Sequence, residues 1–179
     1  SSAGTLTISD GVTLTLTKGQ ATAFNSGGGI SLSTGVAAVT GSGDLTDEDL
    51  TTVTLTMDAD ATLQNGQSDL PKAIDAASNK ITIATAVDIS SVTITNPGAL
   101  EISGTTNVTM TPTQHNAFSS ITATGSGQTI TLSGSGNVTA GAAIETYVLG
   151  DTGRTITLAD AAQSVTGGSA ADVINTGSL

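Results

Sequence analysis

The 179-residue chain has no cysteine and no tryptophan, and its aromatic residues are Phe24, Phe118 and Tyr147. Without thiols there is no disulfide framework and no thiol chemistry. This leaves the compartment open, but suits a bacterial exported protein better than a small disulfide-stapled domain. With aromatics at 2% of residues, the core must be built from Val, Ile, Leu and Ala, side chains that pack into thin, regular layers. Basic residues are equally scarce. Lys18, Lys72, Lys80 and Arg154 face fifteen acidic residues, for a formal charge of −11. Nucleic-acid binding, which needs Lys and Arg against phosphates, is excluded on this ground, and an anionic membrane surface would repel the chain. No run approaches the ~18 apolar residues of a membrane-spanning helix, so no membrane insertion is expected. The opening "SSAGTLTISDG" shows neither the basic nor the apolar part of a signal peptide, and both ends read as cut from a longer chain.

What remains is Gly, Ser, Thr and β-branched residues. Charged residues make up only 11%, and Val and Ile recur in short alternating runs, unlike the composition of a disordered chain. The length suffices for a domain with a real core. Shifting the sequence against itself by 94 residues aligns "GTLTIS" at Gly4 with "GALEIS" at Gly98, and "TLTLT" with "NVTMT". The same shift places Gln20, Ala23 and Phe24 on Gln114, Ala117 and Phe118. With a one-residue slip, "GSGDLT" at Gly41 meets "GSGNVT" at Gly134. Two diverged modules are expected, residues 1–96 and 97–179, the second truncated.

Within each module short strands recur. "TLTIS", "VTLTLT", "VTLTM", "KITIAT", "VTIT", "LEIS", "NVTMT", "QTITL", "YVL", "RTITL" and "DVIN" alternate apolar and polar residues, the period of a half-buried strand. Clusters such as "SGGG", "TGSG" and "TGGS" supply sharp turns between them. "GQTITL" and "GRTITL" begin 26 residues apart, a length that would fit one coil of a solenoid. The expected fold is all-β, a parallel β-solenoid of β-helix or β-roll type with short helical corners. Tandem β-sandwich modules are the alternative, distinguished by antiparallel pairing.

The shared Thr-x-x-Gln-x-x-Ala-Phe frame predicts a helical corner. Thr111 is a suitable N-cap and Pro112 fits the first helical position. Ala117, Phe118 and Ile121 would then share an inward face, with Phe118 plugging a coil and Phe24 doing so in the first copy. His115, the sole histidine, would lie on the exposed side of that helix. A further helix is expected over "LPKAIDAAS", residues 70–78, and a helical turn at "ADAAQSV".

Acidic residues gather at turns. Asp44, Asp58, Asp60, Asp151 and Asp172 are candidate calcium ligands, since calcium takes six to eight oxygens and Gly-rich turns bring carbonyls near. Solubility of an acidic β protein explains the same charge. Asp47, Glu48 and Asp49 after Thr46 fit the first turn of a helix better than a metal site. Thr-x-Thr pairs recur from Thr5/Thr7 to Thr155/Thr157; stacked on one face they would form an array like that of ice-binding solenoids, although Thr is also the ordinary polar residue of an exposed strand. For catalysis there is no Gly-x-Ser-x-Gly elbow, and Arg154 near Asp151 is an isolated pair, so no enzyme is expected.

"GGSAADVIN", residues 167–175, resembles the Gly-Gly-x-Gly-x-Asp-x-apolar-x nonapeptide of the RTX calcium-binding β-roll. Gly167, Gly168, Asp172 and Ile174 match, and Ala170 stands in place of the third glycine. The wider texture is similar to repeat modules of bacterial S-layer proteins and giant adhesins. The resemblance implies an acidic, Cys-free protein exported by type I secretion to the bacterial cell surface. It further implies calcium as cofactor, and a homo-oligomeric lattice or filament. A non-enzymatic scaffold module is the function so implied; an adhesin repeat for surface polysaccharide and an ice-binding solenoid are the alternatives.

Overall fold

A computed structural model describes residues 70–177 without interruption and, before them, segments 6–8, 13–17, 30–32, 36–44 and 53–63 together with Gln20. The early strands are β1 (Leu6–Ile8), β2 (Thr13–Thr17), β3 (Ile30–Leu32), β4 (Val36–Asp44) and the long β5 (Val53–Leu63). Short strands follow at β6 (Ala73–Asp75), β7 (Ile81–Ile83), β8 (Val87–Asp88), β9 (Thr93–Thr95), β10 (Ala99–Ser103) and β11 (Asn107–Met110). The helix α1 (Pro112–Ala117) interrupts them. Beyond it lie β12 (Ser120–Thr124), β13 (Thr129–Leu132), β14 (Val138–Thr139), β15 (Thr146–Leu149), β16 (Thr155–Thr157), β17 (Ser164–Thr166) and β18 (Val173–Asn175).

Every described pairing is parallel. The chain is therefore a β-solenoid and not a sandwich, whose sheets would be antiparallel. One face runs β12-β10-β7-β5-β4-β2, with β6 and β9 continuing from the other half of β5; a second runs β17-β15-β13-β11-β8, and a third β14-β16-β18. Each of the eleven alternating strings contains an observed strand.

Alternation explains the core. Inward side chains of successive coils stack in columns: Leu63, Ile83, Ile102 and Ala123 on one face, and Val108, Ile130, Tyr147 and Val165 on the next. Ile83, Ile102, Val108 and Ile130 are at most 1% exposed. Each buried branched aliphatic stabilises the fold by about 1.5–3 kcal/mol relative to exposure, so short strands suffice when every coil repeats the layer.

Three local expectations need correction. "GQTITL" and "GRTITL" do not mark one coil, because β13 and β16 belong to different sheets. Ile81 pairs with Leu100, Leu100 with Ile121 and Thr146 with Ser164, which sets a coil of about 20 residues. The repeated string is a corner device: Gln128 and Arg154 are both buried, and each donates to a carbonyl of the preceding coil. Residues 70–78 form no helix but enclose β6, paired with β5 and β9. The ladder on both sides outweighs the weak helix propensity of this alanine-containing segment. Its burial alternates, with Ile74 at 1% and Asp75 half-exposed. The "ADAAQSV" segment is a non-helical turn leading into β17. Phe24 and residues 46–49 lie outside the described residues.

Candidate functional site

The helical corner forms where the sequence indicates. The Thr111 hydroxyl accepts the Gln114 N–H at 3.1 Å, and Gln114 Oε1 accepts the Thr111 N–H at 2.8 Å, a reciprocal capping box. Gln114 also reaches the preceding coil, donating from Nε2 to the Ile89 and Val92 carbonyls at 2.7 and 2.8 Å. Gln163 repeats the device. Its Oε1 accepts the Ala159 and Asp160 N–H groups, and its Nε2 donates to the Gly141 and Ile144 carbonyls. In the first copy Gln20 Oε1 accepts the Thr17 N–H at 2.9 Å. Gln114 of the shared frame is thus a clamp between coils, as is Gln163, a role the sequence did not reveal.

His115 is turned inward, contrary to the expected exposed position. It is 5% exposed, because the capping box directs its side of the short helix toward the coil interior while Ala117 faces solvent. Its Nε2 lies 3.1 Å from the hydroxyl of Tyr147, which is fully buried. That hydroxyl accepts the Gly141 N–H at 2.8 Å. A tyrosine oxygen that accepts from the backbone keeps its proton to donate, so we assign the Tyr147 O–H to His115 Nε2. The neutral ring then carries its proton on Nδ1, a buried atom with no hydrogen-bond partner. Burial pushes the His115 pKa down to about 4; the Asn116 carboxamide nearby opposes this without reaching hydrogen-bond geometry at Nδ1. Burial pushes Tyr147 up to about 12, opposed by the Gly141 N–H. Only the rarity of tyrosine in the sequence hinted at this pair; the 32 residues between the partners leave no spacing signal.

Acid sensitivity follows. Because the folded pKa of His115 is depressed, the unfolded chain binds a proton between pH 6.5 and about 4 that the folded chain refuses. Stability is therefore lost as pH falls through that window, by roughly 3 kcal/mol in total. Urea melts of the wild type and His115→Phe at pH 7 and 4.5 check this. The variant is expected to lose the histidine part of the slope; equal slopes in both proteins would refute the assignment.

An open pocket of about 250 Å³ adjoins this network. The His115 ring and Gly141 form its inner wall, Phe118 and Ile121 its apolar side, and Asn116, Ser120 and Thr139 its polar rim. It exists because α1 takes the place of a strand in its coil and stacks over the short β14. No charged side chain lines it.

The five candidate calcium ligands are dispersed. Asp172 Oδ1 accepts the Arg154 N–H at 3.2 Å and its Oδ2 the Gly168 N–H at 3.0 Å. Asp151 Oδ1 accepts the Ser169 N–H at 3.0 Å; the Ser169 backbone and hydroxyl hold its carboxyl below the usual range. Asp60 Oδ1 accepts the Lys80 N–H at 2.8 Å. Asp58 is exposed on β5, and Asp44 ends β4 beside Thr62. Among the described residues no three His, Asp or Glu side chains converge as a metal-holding group. Three of these carboxylates instead tie one coil to backbone N–H groups of the next. Gly168 belongs to the same corner, since a Cβ there would collide with the Gly150 carbonyl.

Arg154 is 4% exposed and donates to the Leu132 carbonyl at 3.0 Å and the Thr152 hydroxyl at 2.9 Å, so it caps strand ends rather than facing solvent. The Thr-x-Thr pairs are divided among sheets. Thr109 pairs with Thr131, and Thr129 with Thr146, whereas Thr93/Thr95 and Thr155/Thr157 lie on other sheets and Thr111 caps the helix. Comparison with family models, curated proteins and solved structures returns no match.

Proposed function

We propose that the chain is a non-enzymatic, self-assembling coil module of a secreted bacterial surface protein, an S-layer-like scaffold. The observation that carries this reading is the outer face formed by β11, β13, β15 and β17. Asn107, Thr129, Thr146 and Ser164 form one register column, and Thr109, Thr131, Val148 and Thr166 the next. These eight positions carry no charge in a chain of net charge −11, and Asp88 on β8, in register with Thr109, is the carboxylate at the end of their column, so the face is weakly opposed by self-repulsion and cheap to desolvate. Calcium bridging of exposed carboxylates such as Asp58 between copies belongs to the same proposal.

Light scattering with and without calcium tests it. The wild type is expected to form particles of many copies, and Thr131→Glu with Val148→Glu, which charge that face, to reduce them at least tenfold in mass. A strictly monomeric wild type under both conditions would sink the scaffold and leave an adhesin repeat as the better reading.

A further inference from the structure

The pocket beside α1 has features that scaffolding does not require. Its wall includes His115, a fully buried donor lacking an acceptor, and leaving such a group unpaired is costly. An oxygen-bearing ligand would supply what is missing. Charge selects among such ligands. The net charge of −11 repels anions and no basic side chain lines the pocket; a cation would find no carboxylate there. The ligand is therefore neutral.

Further groups define its shape. Asn116 donates from Nδ2 to the Asn137 carbonyl at 2.8 Å in an exposed bond that a sugar hydroxyl can replace, and its Oδ1 is a further acceptor. Ser120 and Thr139 are exposed and add two hydroxyls at the rim. Ile121 and Phe118 provide an apolar wall against which C–H groups can rest. Polar groups that both donate and accept, set around an apolar patch in about 250 Å³, suit one ring bearing several hydroxyls. We propose that this pocket binds a neutral monosaccharide unit, free or at the end of a glycan, with the exposed Asn116 side chain shifting so that a sugar oxygen reaches His115 Nδ1–H. This site is independent of the lateral contact proposed above.

The single histidine makes the test direct, since the imidazole region of a ¹⁵N-histidine spectrum contains one side chain. N-acetylglucosamine, methyl α-mannoside and methyl β-galactoside are titrated separately into the protein at pH 7. At least one is expected to shift the His115 ring resonances saturably, with a dissociation constant on the order of 1 mM for a ligand of that size. Thr139→Trp, which fills the pocket from an exposed strand position, is expected to weaken binding at least tenfold; Ser120→Trp serves the same purpose should the first variant fail to fold. Absence of a saturable shift with all three sugars, or a shift undiminished in a folded pocket-filling variant, overturns the proposal.

Discussion

Phe118→Ala is expected to destabilise the protein by about 3–5 kcal/mol, the cost of emptying a buried aromatic site that cannot fully collapse. Phe118 is 7% exposed and ends α1, where its backbone turns extended (φ −66°, ψ 136°) to lead into β12. The ring belongs to the continuous core of stacked aliphatic columns and closes the coil where the helix replaces a strand. Neighbouring coils are rigid, each held by ladders on both sides, so little can move into the void. Phe118→Leu should recover more than half of the loss, because most of the apolar volume returns. Urea unfolding at pH 7 provides the measurement, and a loss below about 1 kcal/mol would exclude the plugging role. Phe24 occupies the same frame and is expected to behave alike, although it lies outside the described residues.

Gln114→Ala is expected to cost about 2–4 kcal/mol, an effect sequence reading alone would not have assigned to a half-buried polar residue. Its removal leaves the Ile89 and Val92 carbonyls without their side-chain donor and the Thr111 N–H without its acceptor. Partial hydration of this corner keeps the total below the sum of three fully buried orphan groups. Gln114→Glu separates the two halves of the clamp. The carboxylate still accepts the Thr111 N–H, but faces two carbonyls to which it cannot donate, so it should be no better than alanine. Hydrogen exchange localises the effect: the Val92 N–H, which donates to the Ile89 carbonyl at 2.9 Å, should lose protection in both variants. Full stability and unchanged protection in Gln114→Glu would show that the clamp to the preceding coil contributes nothing.

Local patterning by itself determined much of this protein. The alternation in "KITIAT", "NVTMT" and "QTITL" assigned each side chain to an inner or outer face, since successive strand residues point to opposite sides. The Thr111–Pro112–Gln114 spacing marked α1, because capping is settled within four residues. Scarcity of Lys and Arg argued against nucleic acid as a partner without reference to any fold. Tertiary structure decided everything that depends on which coil lies beside which. A parallel strand bonds to a segment about 20 residues away, and nothing local distinguishes that distance from the 26 residues between two similar corners. The same remoteness made "LPKAIDAAS" read as a helix when β5 and β9 hold it extended. It also hid His115, whose partner Tyr147 comes from a later coil. Asp172, Asp151 and Asp60 carry the same lesson: a carboxylate in a Gly-rich turn has one sequence signature, and only the coil beside it determines that the oxygen receives a backbone N–H.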